Sequence, residues 1–206
     1  MPILKLTEER LKMLVKADPK RKWILDTETN GLDVVGKDAP HRAYWIGLMP
    51  ENTNTCFIIS REEFDEWARP YVSRMHLIGH NLLFDMHALD MQAYKYTDTM
   101  LSAYFTNTGS RIGMDHIAKK LGYPKIETPD ALKKGQIEFM EKQELEEYLA
   151  DDCRFTNIMH QKLNWNPNME MDMELGRAIF SMEDRGVRLL EDKLNKVHKE
   201  LNVIVD

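Results

Sequence analysis

The apolar run Trp23-Ile24-Leu25 leads straight into Asp26-Thr27-Glu28, so a buried central strand over 22–26 delivers two acids at its end. Residues i and i+2 of a strand point to one face, and Asp26 and Glu28 therefore project together. The first half of the chain must build a sheet around that strand. Further strands are predicted over 43–49, 55–59, 75–78 and 95–97, with the turn-rich segment 30–40 joining the first two. Ser60-Arg61-Glu62-Glu63 is a capping box that opens a helix toward Tyr71, and helices over 81–91 and 98–106 follow the later strands. Thr128-Pro129 marks another helix start, and one long helix is predicted over 144–163. Hairpin strands first and strand–helix units afterwards predict a mixed five-stranded α/β sheet flanked by helices. In such sheets sites form at strand ends, which is where Asp26 and Glu28 fall.

Two later segments carry matching chemistry. Gly79-His80-Asn81-Leu82-Leu83-Phe84-Asp85 places Asp85 in a helix, and Tyr148-Leu149-Ala150-Asp151-Asp152 lies in the long one. Tyr148 and Asp152 are i and i+4 and share a helix face, which Asp151 does not. Taken alone, each piece is weak: an Asp-x-Glu pair is more often a solvated strand end, and acids on a helix are usually exposed. As a set, Asp26, Glu28, Asp85 and Asp152 with the phenol of Tyr148 suit a pair of divalent ions. Hard ions such as Mg²⁺ take oxygen ligands, and two of them about 3.5–4 Å apart can clamp attacking and leaving oxygens.

The order and spacing of Asp26-Thr-Glu28, Asn81-Leu-Leu-Phe-Asp85 and Tyr148-x-x-x-Asp152 resemble the DEDD (DnaQ-like) 3′–5′ exonucleases of the tyrosine type. Leu32, the segment Asp98-Thr99-Met100-Leu101-Ser102-Ala103-Tyr104 and the helix start Met114-Asp115-His116-Ile117-Ala118 bring the likeness closest to the proofreading domain of family A DNA polymerases. The likeness runs from about Lys22 to Asn164. It implies a ribonuclease H-like fold and two divalent metal ions, Mg²⁺ or Mn²⁺. Asp26 would bridge both ions, Glu28 and Asp152 would complete the first, and Asp85 would hold the second. Tyr148 would aim the nucleophile, since a phenol of pKa ~10 is a poor base at pH 7. Thr27, Leu32 and Asn81 would grip the terminal nucleotides. The implied substrate is a single-stranded DNA 3′ end, with a polymerase module in the same or an associated chain. An RNA 3′-processing exonuclease of ribonuclease D type and a catalytically silent nucleic-acid-binding domain are the competing readings.

Composition sets the remaining bounds. The 28 basic and 34 acidic residues leave a net charge of −6, which argues against coating duplex DNA by charge. It leaves room for an enzyme that holds a few nucleotides. No apolar run approaches the ~18 residues of a membrane span. Cys56 and Cys153 lack metal spacing, and a reducing, cytoplasmic setting is expected. Cys153, His80, His87, His116 and the tryptophans Trp23, Trp45, Trp67 and Trp165 read as packing or surface residues. Asn164-Trp165-Asn166-Pro167-Asn168 interrupts the pattern and suggests a 3′–5′ exonuclease domain over 1–165. The rest, 166–206, reads as a linker and helical tail resembling the start of a family A polymerase domain. Its apolar faces are Leu175/Ile179/Met182 and Leu194/Val197/Leu201/Ile204.

Overall fold

A mixed sheet organises the chain. The computed structural model describes residues 2–36, 38–106, 109–163, 166–187 and 190–205, with side chains described as far as residue 201. The strands are β1 (Ile3–Lys5), β2 (Lys22–Thr29), β3 (Ala43–Pro50), β4 (Cys56–Ser60), β5 (His76–Gly79) and β6 (Lys95–Asp98). They lie in the order β1-β4-β3-β2-β5-β6. The meander β2-β3-β4 is antiparallel, while β5, β6 and β1 run parallel to their neighbours. The sheet thus has six strands where the sequence pattern predicted five. The extra one, Ile-Leu-Lys, is three residues long and mostly exposed, too short to display a period-two pattern.

The helices are α1 (Glu8–Ala17), α2 (Arg61–Glu63), α3 (Arg69–Val72), α4 (Leu82–Ala88), α5 (Thr99–Thr106), α6 (Met114–Leu121), α7 (Asp130–Lys133), α8 (Lys142–Lys162), α9 (Asn168–Arg185) and α10 (Glu191–Val205). Ser60 closes its capping box with Glu63, and a π-helical stretch, Phe64–Ala68, joins α2 to α3. No helix among the described residues is long and apolar enough to cross a membrane.

Strand alternation sorts the core into two layers. Trp23 and Leu25 face one side of β2 and pack with Leu82 and Met86 of α4. Ile24 faces the other and packs with Leu149, Ala150 and Cys153 of α8. That second contact is unusually close at Gly47, the β3 residue in register with Asp26. A Cβ built there would stand 2.6 Å from Cys153 Sγ and 3.1 Å from Leu149 Cγ. Only glycine lets α8 settle this near the acidic end of β2.

Helix α9 belongs to the first layer at its inner face. Met169 and Met173 are buried in the main core, and the Tyr96 hydroxyl donates to the Met173 carbonyl at 2.8 Å. Leu175, Ile179 and Met182 face outward, with Leu175 and Met182 more than half exposed. The helix stops at Gly186, where φ is 64°. The described side chains of α10 are exposed. Asn164 and Trp165, within the predicted domain boundary, lie outside the described residues, as do the side chain of Ile204 and Asp206.

Candidate active site

The end of β2 and the middle of α8 meet across the cleft that Gly47 keeps narrow. Asp26 is half-buried, Glu28 and Asp152 are buried, and a carboxylate oxygen from each lies within 4.8 Å of the other two. The i, i+2 pair from the strand and the acid from the helix therefore converge. Asp85 comes from the opposite layer, on α4, and is not one of that group of three. It is buried and accepts a 2.7 Å hydrogen bond from Thr27 Oγ1. Thr27 points to the α4 side of the strand by alternation, so its side chain positions Asp85.

Burial and mutual repulsion hold these acids toward their neutral forms. Asp26 is pushed well above the usual carboxylate range by burial and by Asp85, Asp152 and Glu28. Glu28 is raised in the same way by burial, Asp152 and Asp85. Burial takes Asp85 up to about 8 despite the Thr27 bond, and takes Asp152 to about 6 against the pull of Lys125. Such a cluster suits a divalent cation: its donors are hard oxygens. One of them, Asp152 Oδ1, is buried and has the Lys125 ammonium as its charged neighbour.

Tyr148 lies one helical turn before Asp152, buried, with its hydroxyl 3.1 Å from Thr128 Oγ1. Burial and Asp152 raise its pKa far above that of a free phenol, so the hydroxyl keeps its proton. Leu32 is 85% exposed at the mouth of a groove of about 370 Å³ that also meets Glu28, Phe84 and Thr128. Asn81, in the left-handed region at φ 67°, borders a different groove with Met100 and Tyr104.

Four contributors were not legible as such. Asp98 ends β6 and accepts from the backbone N–H of Asn81 at 3.0 Å and of Leu82 at 2.8 Å, capping the helix that carries Asp85. Asp151 is buried and engaged, accepting from Tyr123 Oη and the Ile126 N–H at 2.8 Å each and from Arg154 at 2.8 Å. The adjacent aspartates thus differ: Asp151 holds the 123–126 loop, while Asp152 groups with Asp26 and Glu28. That loop places Lys125 Nζ 2.8 Å from Asp152 Oδ1. The contact is a buried ion pair. Thr128 is the fourth. An isolated Lys in an aperiodic segment gives no sequence signal, and Thr128-Pro129 signals only a helix start; the doubled Asp151-Asp152 was the available hint. His80, His87 and His116 lie outside the acidic cluster, and His87 instead pairs with Glu183 of α9 at 2.9 Å. Cys56 and Cys153 are free and buried.

Residues 5–166 match a protein-family profile described as 3′–5′ exonuclease. A curated relative, DNA polymerase I of Borreliella burgdorferi, is 26% identical over 91% of this chain, and the chain spans 23% of that protein's length. Among solved structures, NrnC of Brucella melitensis with bound Mg²⁺ is similar at 20% identity and TM-score 0.57, covering 88% of this chain and 89% of that one. Ribonuclease D of Trypanosoma brucei is similar at 19% identity and TM-score 0.57, covering 81% and 66%.

Proposed function

Because the chain belongs to the 3′–5′ exonuclease family, we propose that it hydrolyses the terminal phosphodiester of a single-stranded 3′ end, releasing nucleoside 5′-monophosphates. The observation that carries this reading is the convergence of Asp26, Glu28 and Asp152 within 4.8 Å on the helix face that also carries Tyr148. Asp26, Glu28 and Asp152 would hold one divalent ion, and Asp26 with Asp85 the second. Bound there, Mg²⁺ or Mn²⁺ would supply positive charge to the attacking and leaving oxygens. Tyr148, held neutral, would orient the attacking water through its hydroxyl, with Thr128 fixing the phenol. Leu32 would sit against the terminal base, since an exposed leucine at a groove mouth offers an apolar wedge. Thr27 would act on the substrate indirectly, through Asp85. Asn81 would contact the strand further from the scissile bond than Leu32 does, because it borders the neighbouring groove.

On the sugar of the substrate we favour RNA 3′ ends of the ribonuclease D kind. Support comes from ribonuclease D of Trypanosoma brucei, a solved structure matched over 81% of this chain. DNA proofreading is the second reading, supported by the DNA polymerase I relative; it would make 166–206 the approach to a polymerase module. Matched RNA and DNA oligonucleotides of one sequence separate the two. Initial rates at saturating Mg²⁺ should favour RNA, and a clear DNA preference would transfer the assignment to proofreading.

A further inference from the structure

Lys125 lies within the acidic cluster, although nothing in the motif requires a cation there. Its side chain is 5% exposed and its ammonium is 2.8 Å from the buried Asp152 Oδ1. It stands 4.8 Å above the Tyr148 ring centroid. Its charge opposes the carboxylate repulsion at Asp26, Glu28 and Asp152 alike. A second acid waits nearby: Asp115 Oδ1 is 3.6 Å from Nζ, and its side chain is 70% exposed. The Ile126 carbonyl, at 3.2 Å, also accepts from Nζ.

The backbone that carries Lys125 is pinned independently of the metal ligands. Asp151 holds Tyr123 and the Ile126 N–H, Arg154 stacks over the Tyr123 ring at 5.0 Å, and Tyr123 stacks on Phe155 at 4.7 Å. A lysine on a fixed backbone still has a flexible four-carbon stem. Its head can move while its root stays put.

We infer that Lys125 is a built-in counter-ion of the metal centre: it neutralises Asp152 in the free protein, competes with the divalent cation for that carboxylate, and swings toward Asp115 when the cation binds. This rests on the reading that the acidic cluster takes divalent cations. A divalent ion ligated by Asp152 Oδ1 would stand within a few Å of the ammonium now 2.8 Å from that oxygen, and the repulsion between the two cations favours Nζ leaving for Asp115. Lys125 is thus a positioning residue that sets metal affinity and keeps the acids from driving the free site apart.

Calorimetric titration of MgCl₂ and MnCl₂ into wild type, Lys125→Gln and Lys125→Arg tests this. Removing a unit charge a few Å from the site should tighten metal binding roughly 10- to 100-fold in Lys125→Gln, while Lys125→Arg stays near wild type. Should Lys125→Gln fold poorly, wild-type protein still decides the matter by amine labelling and mass spectrometry. Labelling of Lys125 should be low in chelator and rise with the same Mg²⁺ midpoint as the binding heat. Equal or weaker metal binding in folded Lys125→Gln, or labelling unchanged at saturating Mg²⁺, would overturn the inference while the metal site stands. Wild-type protein that binds neither ion would overturn the metal-site reading, and the inference with it.

Discussion

At the residue scale the cost of the site is electrostatic. Asp26 lies at its centre, repelled by the charges of Asp85, Asp152 and Glu28. Asp26→Ala should lower turnover by ~10²–10³ or more, the scale of a lost transition-state charge stabiliser, and remove the calorimetric heat of Mg²⁺ binding. A folded variant with full activity would sink the assignment. Tyr148→Phe should slow hydrolysis roughly 10–10³-fold with metal affinity retained, because the phenol orients and does not ligate; lost metal affinity would show that its role is different. The pH dependence follows from the same crowding. Asp152 at about 6, Asp85 at about 8, and Asp26 and Glu28 higher than their ordinary values are all acids raised by folding. The folded state keeps protons that the unfolded chain releases. The contribution of these groups is therefore full below the ordinary carboxylate range and is lost as pH rises through about 6 to 8. In chelator, Tm should fall between pH 5 and 9, and saturating Mg²⁺ should remove most of that slope. A Tm that climbs across this window in chelator would contradict the carboxylate assignments.

At the scale of elements, the acids depend on how two layers grip β2. α8 brings Asp152 because Gly47 gives it room, and α4 brings Asp85 because Asp98 caps its start. The central strand, the capping box at Ser60, the helix bearing Tyr148 and Asp152, and the Gly186 stop were legible because each has a periodic or capping signature. β1 was not, being three edge residues. Nor was the buried face of α9, where the conspicuous Leu175/Ile179/Met182 stripe faces outward and two methionines and Gly176 face the core. Helical periodicity marks stripes without saying which one finds a partner. This packing separates two truncations. Removing 187–206 should leave Tm within a degree or two, since the described side chains of α10 are exposed. Removing 168–206 uncovers the site of Met169 and Met173 and should cost up to about 3–6 kcal/mol, at ~1.5–3 kcal/mol for each buried side chain. Equal Tm values for the two would show that α9 is not part of the core.

At the scale of the whole molecule, net acidity and the local site are compatible. A net charge of −6 gives little drive to coat duplex by charge, and a groove of about 370 Å³ beside Glu28 and Leu32 suits a strand end. The converging acids Asp26, Glu28 and Asp152 were readable from separated motifs because order and spacing are local features. The counter-ion Lys125 and the positioning groups Asp98, Asp151 and Thr128 were not, because their roles exist only in the tertiary contacts that assemble the site. The central claim is cleavage from a free 3′ end by these carboxylates. A 5′-labelled linear single strand and a closed circle of the same sequence, each incubated with protein and Mg²⁺, put it to the most direct test. The linear strand should shorten stepwise from its 3′ end, Asp26→Ala should leave it intact, and the circle should survive. A nicked circle, or an untouched linear strand with folded, Mg²⁺-loaded protein, would contradict it.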